Sequence, residues 1–341
     1  MQLDIYPFDL QLASPFRISH ESRTVQPTLI VQLTDGNGIS GLGEAPMTRY
    51  YGLVSAECMR TLVDFRPYLL PLKTLAPAEV HQLIDQYAPD LHPFLRCALE
   101  VAAHDLWAKK QGKRLNLCWS QAIPDHRIPT SYTIGMGAVN EMVEKIKAFP
   151  WPVYKIKLGT PQDLDIIRAL REVTTATFRV DANTAWTVEQ SLAYAPILRD
   201  LGVEFIEQPL ASDNWVGQKV LFERSALPIV ADESCQTEAD VARCHGHFHG
   251  INIKVVKCGG LLPARRMIRK AKSLGMRVMA GCMTESSVGI SAIAQLIPEL
   301  DYVDVDGAML LKDEPATGVT FSADGIVRYV NAPGTGARLR I

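Results

Sequence analysis

A (β/α)8 TIM-type barrel carrying an α+β attachment is the fold class this sequence predicts, and three observations predict it. Beyond residue 128, short apolar strands alternate with amphipathic helices. Before it, a β-meander gives way to a run of helical patterns. Finally, an ionisable residue recurs at the same depth in successive strand–helix units. At 341 residues the chain has room for a sizeable core and a second domain, and its 47% hydrophobic and 21% charged residues are ordinary for a globular protein.

From Met1 to about Gly43, LIVQLT and ISGLGEA read as strands around the turn DGNG, residues 35–38. No helix follows those glycines directly, so they form a hairpin rather than a phosphate loop. Helical patterns run over Ala56–Leu70, Pro77–Tyr87 and Pro93–Lys110. The barrel strands are expected at Ser131–Gly135, Val153–Leu158, Phe178–Asp181, Glu204–Glu207, Ile229–Ala231, Ile251–Lys254, Arg277–Ala280 and Tyr302–Val305. A helix is expected after each, as at Pro161–Val173, Val188–Leu201 and Pro263–Leu274. An open doubly wound sheet is the competing architecture, but no G-x-G-x-x-G follows the first strand. The predicted division is an α+β domain over 1–127 and a barrel over 128–318.

The net charge of −2, without long runs of one sign, favours neither nucleic acid nor an acidic membrane surface as partner. MQLDIYPFDLQL lacks a basic start and an apolar run, so neither a signal peptide nor a transmembrane span is expected. The cysteines, at 58, 97, 118, 235, 244, 258 and 282, are odd in number, scattered and free of C-x-x-C pairs. Buried thiols in a reducing, cytoplasmic setting account for them better than a disulfide framework.

The C-terminal ends of barrel strands converge on one mouth. The second strand, within YKIKLG, brings Lys155 and Lys157 to one face. RVDAN ends the third with Asp181, FIEQP the fourth with Glu207, and VADES the fifth with Asp232. INIK gives Lys254 on the sixth, and YVDVDG gives Asp304 and Asp306 on the eighth. From Lys157 through Lys254 the series is spaced by 24, 26, 25 and 22 residues, about one strand–helix unit each. A single charge after a strand is ordinarily a solvated loop residue; an ordered series at one depth reads as a site. Three carboxylates on adjacent strands are hard oxygen ligands that suit Mg²⁺, with Mn²⁺ as the alternative. Lysines flanking them from opposite sides could take a proton from one face of a carbon and return it to the other. A lysine serves as base only if its pKa falls from about 10.4. A neighbouring ammonium and a nearby metal both push it down. The pairing therefore predicts that Lys155 contacts a metal-bound carboxylate while Lys157 moves the proton. A K-x-K can also blunt an exposed sheet edge, but a strand inside a barrel has none.

On KIK at 155–157, VDAN at 180–183, EQP at 207–209, ADES at 231–234 and NIKVVKCGG at 252–260, the chain resembles the enolase superfamily. Within it, the resemblance is to the dipeptide epimerases of the muconate-lactonising subgroup, and it spans essentially the whole chain. It implies a capping domain to which the C-terminal tail, 319–341, returns. It implies Mg²⁺ on Asp181, Glu207 and Asp232, with Lys157 and Lys254 as the acid/base pair and Lys257 structural. In dipeptide epimerases a D-x-D such as Asp304 and Asp306 holds the substrate's free α-ammonium; muconate cycloisomerases and o-succinylbenzoate synthases have none to bind.

Arg23, in FRISHESRTVQP, matches a family position that meets a glutamate side chain of the substrate, with Arg17 the alternative register. A guanidinium suits a carboxylate because it binds both oxygens. The loop MTRYYG, 47–52, resembles a mobile capping loop, with Arg49, Tyr50 and Tyr51 as candidates. Thr133 and the segment Cys282, Met283, Thr284 match mouth positions that contact the substrate backbone. The implied activity is inversion of the C-terminal residue of a small dipeptide by two-base 1,1-proton transfer. The leading substrate is L-Ala-D/L-Glu, with a place in peptidoglycan recycling, and relatives of this type form homo-oligomers. A cycloisomerase or o-succinylbenzoate synthase on the same scaffold, and a non-catalytic carboxylate-binding barrel, are the rival readings. His245, His247 and His249 in CHGHFHG could bind Zn²⁺, but they precede the sixth strand and so fall at the opposite end of the barrel, which serves stability.

Overall fold

In the computed structural model, which describes residues 1–18, 21–72, 76–120 and 127–340, the chain opens on a three-stranded antiparallel sheet. Positions 19 and 20 of the FRISHESRTVQP segment, and position 341 of the tail, lie outside the described residues. β1 (Gln2–Ile18) pairs with β2 (Glu21–Thr34), and β2 with β3 (Ser40–Pro46). The DGNG turn closes as expected, its Asp35 carboxylate accepting from the Asn37 and Ile39 backbone N–H groups. Four helices follow: α1 (Ser55–Leu69), α2 (Pro77–Tyr87), α3 (Pro93–Lys110) and the short α4 (Leu115–Trp119). α3 lies against β3 at backbone contact. A Cβ added at Gly41 would stand 2.1 Å from the Ala102 carbonyl oxygen, and one at Gly43 would stand 1.9 Å from that of Ala98. The alternating glycines of SGLGEA and the alanines of α3 thus make one close-packed joint.

All eight predicted barrel strands form a single parallel sheet. In order they are β4 (Tyr132–Ile134), β5 (Val153–Lys157), β6 (Thr177–Asp181), β7 (Val203–Glu207), β8 (Ile229–Ala231), β9 (Gly250–Lys254), β10 (Arg277–Gly281) and β11 (Tyr302–Asp304). The helices between them are α5 (Val139–Ala148), α6 (Asp163–Arg171), α7 (Val188–Asp200), α8 (Trp215–Arg224), α9 (Glu238–Cys244), α10 (Val255–Cys258) with α11 (Leu261–Ser273), and α12 (Ser287–Ala294). A bridge between Thr130 and Val303 brings the sheet edges together, so the barrel is nearly closed. The expectation of a helix after every strand fails at the eighth. β11 leads only to a 3-10 turn, Gly307–Leu310, and the chain then meets β1, Leu311 bridging Leu12 and Lys312 N–H donating to the Gln11 carbonyl. Among the described residues no helix is long and apolar enough to cross a membrane.

Phe205, Val230, Met279 and Tyr302 form a separate cluster inside the sheet, with the Arg179 guanidinium 5.5 Å and 5.1 Å from the Phe205 and Tyr302 rings. This plug fills the lower interior and leaves the strand ends to the charged residues. Buried carboxylates join the two parts. Glu44 of β3 accepts from the Ser286 and Gly289 N–H groups at the start of α12. Glu100 of α3 accepts from Leu261 and Leu262 N–H at the start of α11. Both satisfy N–H groups that a helix start leaves without partners. The tail pairs β12 (Ala316–Thr317) with β15 (Arg338–Leu339) across the short hairpin of β13 (Thr320–Phe321) and β14 (Val327–Arg328). Its Thr335 N–H donates to Asp105 of α3, and Ala316 and Ala337 pack on Ile30 and Leu42.

Candidate active site

Strand alternation builds the site. On β5, Tyr154 packs outward on Phe178 and bonds the Phe149 carbonyl, so Lys155 and Lys157 point into the barrel, both buried. The ladder sets Lys157 beside Asp181 and Asp181 beside Glu207. A cleft opens above them between the two parts of the chain. Phe16, Arg23, Gln26, Thr48, Tyr50 and Tyr51 line one wall. Thr133, Lys155, Lys157, Asn183, Glu233, Lys254, Cys282, Met283, Thr284, Asp304, Asp306 and Leu310 line the floor and the other.

The floor is a dense ionic lattice. Lys155 Nζ lies 2.8 Å from Glu207 Oε2, 2.9 Å from Asp304 Oδ2 and 3.2 Å from Asp181 Oδ2. Lys157 donates to Asp181 Oδ2 at 2.6 Å. Across the mouth, Lys254 and Lys257 each donate to a different oxygen of Asp232 at 2.7 Å. Asn252 of β9 donates to Glu207 Oε1 at 2.8 Å. The Gln208 carboxamide ties two strand ends together, accepting from Asp232 and Ser234 N–H and donating to the Leu210 carbonyl and Ser234 Oγ. Gln208, Asn183 and Thr184 all adopt positive φ, at 35°, 42° and 67°. For branched Thr184 this is a strained backbone, concentrated just past two of the candidate ligands.

Burial and charge set the ionisation. Burial lifts Glu207 and the neighbouring Asp181 charge lifts it further, to about 7. Burial works against the Asp181 charge too, but Lys157 and Lys155 hold that carboxyl down at about 2. Asp232 is held far below the usual carboxylate range by Lys254 and Lys257 despite its burial. Burial opposes the Lys155 ammonium, yet Asp304, Glu207 and Asp181 raise its pKa well above the ordinary value. Lys155 is thus held as an ammonium. Lys254 is raised in the same way by Asp232. Burial, then Asp304, pushes Asp306 up to about 7.

Among the described residues no three carboxylate, imidazole or thiolate side chains already converge on one point, because ammonium groups occupy the carboxylate oxygens. The donor chemistry nevertheless fits a hard divalent cation. Asp181, Glu207 and Asp232 supply anionic oxygens from adjacent strands, and all three are fully buried at the strand ends. Burial first, and the Asp181 charge next, raise Glu207, and a cation at the site would counter both.

The other predicted residues distribute as follows. Asp304 receives Ser131 Oγ and Lys155, and Asp306 accepts from Thr133 N–H at 2.6 Å. β11 ends at Asp304, so Asp306 lies past the strand, yet both aspartates reach the cleft. Cys282 Sγ lies 3.9 Å from Asp306 Oδ1, and burial pushes its thiol pKa up, which disfavours a reactive thiolate. Arg23 donates to Thr284 Oγ1 at 3.0 Å, so these two candidates meet across the cleft. Arg17 is exposed, its carbonyl accepting from Met136 N–H, and Arg49 borders a neighbouring surface cleft instead. Lys257, expected to be structural, lies close to the site. α10 winds it back beneath the mouth, onto Asp232 and 5.5 Å from the Tyr51 ring. Ser131, Gln208 and Asn252 were also missed; only their adjacency to strand-end charges could have signalled them. The histidines of CHGHFHG go separate ways: His249 Nδ1 accepts from Ile229 N–H, and His247 packs edge-on against Trp215.

Two family profiles match the chain: the mandelate racemase / muconate lactonizing enzyme N-terminal domain over residues 3–117, and the enolase C-terminal domain-like family over 138–340. An L-Ala-D/L-amino acid epimerase of Flavobacterium johnsoniae is 48% identical over 99% of this chain and 100% of its own length. Among solved structures, the substrate-liganded L-Ala-D/L-Glu epimerase of Bacillus subtilis superposes with a TM-score of 0.89 at 26% identity, covering 99% of this chain and 98% of that one. The dipeptide epimerase of Methylococcus capsulatus, complexed with Mg and the dipeptide L-Arg-D-Lys, gives 0.88 at 31% identity over 98% of both chains.

Proposed function

This chain belongs to the mandelate racemase / muconate lactonizing enzyme family of the enolase superfamily and is a dipeptide epimerase; from that premise we propose a Mg²⁺-dependent two-base inversion at the α-carbon of the C-terminal residue of L-Ala-D/L-Glu. The observation that carries it is the placement of Lys157 and Lys254 on opposite sides of the mouth, each held by a different carboxylate, with three carboxylates of adjacent strands between them. Such a substrate is a murein fragment, which assigns the enzyme to peptidoglycan recycling in the cytoplasm.

Asp181, Glu207 and Asp232 hold the cation in this reading. Bound there, Mg²⁺ supplies Lewis-acid stabilisation of the charge that develops on the substrate carboxylate when the α-proton leaves. Lys155, kept charged by its carboxylate neighbours, binds that same substrate carboxylate. Lys157 takes the α-proton from one face and Lys254 returns one to the other; the reverse reaction exchanges their roles. Asp304 and Asp306 receive the free α-ammonium, and that ammonium draws Asp306 into its ionised form. Arg23, at the far wall, meets the glutamate side chain.

The test is exchange in D₂O with Mg²⁺ and a set of dipeptides that includes L-Ala-L-Glu and L-Ala-D-Glu. A one-dalton gain with appearance of the other diastereomer, highest for the alanyl-glutamates, is the expected result. Highest turnover with a cationic or apolar second residue would overturn the glutamate assignment. Absence of exchange in every dipeptide would return the choice to a cycloisomerase or synthase on this scaffold.

A further inference from the structure

Among the described residues, Asn183 Oδ1 and Glu233 Oε2 are buried acceptor oxygens at the mouth that make no hydrogen bond, as is Asn252 Oδ1 beside Glu207. Neither Asn183 nor Glu233 belongs to the carboxylate series read as cation ligands. Asn183 and Glu233 both line the cleft, two residues past Asp181 and one past Asp232, on the strand ends that flank Glu207. Asn183 is 6% exposed. Its φ of 42° folds the chain back so that its own N–H donates to Asp181 Oδ1. That hydrogen bond orients the candidate ligand and leaves the carboxamide oxygen without a donor. Lys254 and Lys257 each turn a hydrogen bond to Asp232, the residue before Glu233, and neither donates to Glu233 Oε2.

A buried acceptor without a donor is costly and persists only where something else supplies one. The mouth is rich in ammonium groups, which donate and cannot accept. A Mg²⁺ ion adds donors of a second kind. It dehydrates reluctantly, keeps several waters in an octahedral shell, and makes those waters strong donors that need acceptors. We propose, resting on the reading of Asp181, Glu207 and Asp232 as the cation ligands, that Asn183 and Glu233 are positioning residues which accept hydrogen bonds from water on the bound cation. They flank Glu207 on either side and would orient the hydration shell, while Asp304 and Asp306 are assigned to the substrate ammonium.

The test uses the full chain without substrate. Mg²⁺ affinity is measured calorimetrically for the parent, Glu233→Gln and Asn183→Gly, the last chosen because glycine accepts the positive φ while losing the carboxamide. Water on the ion is counted in Mn²⁺-loaded protein by pulsed electron paramagnetic resonance in ¹⁷O-water. Each variant is expected to lose affinity roughly tenfold to a hundredfold, the usual effect of removing an outer-shell partner, with the count of coordinated waters unchanged. Affinity within about twofold of the parent in both variants overturns the proposal. So does an additional coordinated water in a variant, which would make the side chain a direct ligand. If Glu233→Gln loses its near-ultraviolet circular dichroism, Glu233→Asp replaces it with the same expectation, since the shortened arm also withdraws the acceptor. A parent that binds no Mg²⁺ refutes the cation site itself, an outcome distinct from a parent that binds and variants that match it.

Discussion

Lys157 answers to Asp181 and Lys254 to Asp232, and this division predicts an asymmetric loss. Lys157→Met and Lys254→Met are each expected to slow epimerisation by about 10²–10⁴-fold. Each should keep deuterium exchange from the one epimer whose α-proton faces the surviving lysine. Parent-like turnover in both variants, read by NMR, would sink the two-base mechanism. Asp306 predicts a pH effect. Its carboxyl ionises near pH 7, so the negative charge offered to a substrate ammonium is present above that value and lost below it. The KM for a dipeptide should therefore rise as pH falls, by up to about tenfold per unit below 7, while Asp306→Asn gives a high KM without that slope. Residues such as Lys155, Asp181 and Asp232 were legible because strand ends carry a positional code. Lys257 was not, because the tight turn of α10 overrides the distance along the chain that its number suggests.

At the scale of elements, α3 carries the joint between the two parts, and two of its features make measurable claims. Gly43 faces the Ala98 carbonyl with no space for a methyl group. Gly43→Ala is expected to cost about 1–3 kcal/mol, as overpacking does, seen as a lower urea midpoint. Glu100 is buried, which alone would raise its pKa, but His104, His81 and the Leu262 N–H bring it down from 4.5 to about 2. A depressed carboxylate pKa stabilises the fold above the unfolded value and ceases to as pH falls through the folded one. The joint should therefore weaken between about pH 5 and pH 2, by on the order of 3 kcal/mol for this group. Glu100→Gln should be less stable at neutral pH and lose that part of the acid dependence. Helix spans were readable from period and caps; the α3–β3 contact was not, since a glycine pair in a strand does not say which helix lies against it.

Across the whole molecule, the site depends on two parts meeting. Arg23 and Tyr51 come from one, the lysines and aspartates from the other, and Glu44 and Glu100 pin the joint. A cation bound at that meeting point should stabilise all of it. At a hundred times its Kd, Mg²⁺ is expected to add about 2.7 kcal/mol, a rise in Tm that Asp232→Asn should abolish in a thermal melt. The sequence by itself determined the barrel, because strand and helix periods are local properties of the side-chain pattern. It also determined the charged series at the mouth, because every parallel strand of a barrel ends on the same side. Only the tertiary structure decided that the eighth strand has no helix, that Lys257 reaches Asp232, that Arg23 meets Thr284, and that Asn183 and Glu233 hold acceptors without donors. Those outcomes depend on contacts between segments far apart in the chain, where packing space and hydrogen-bond supply are shared, and no local pattern records how they are divided.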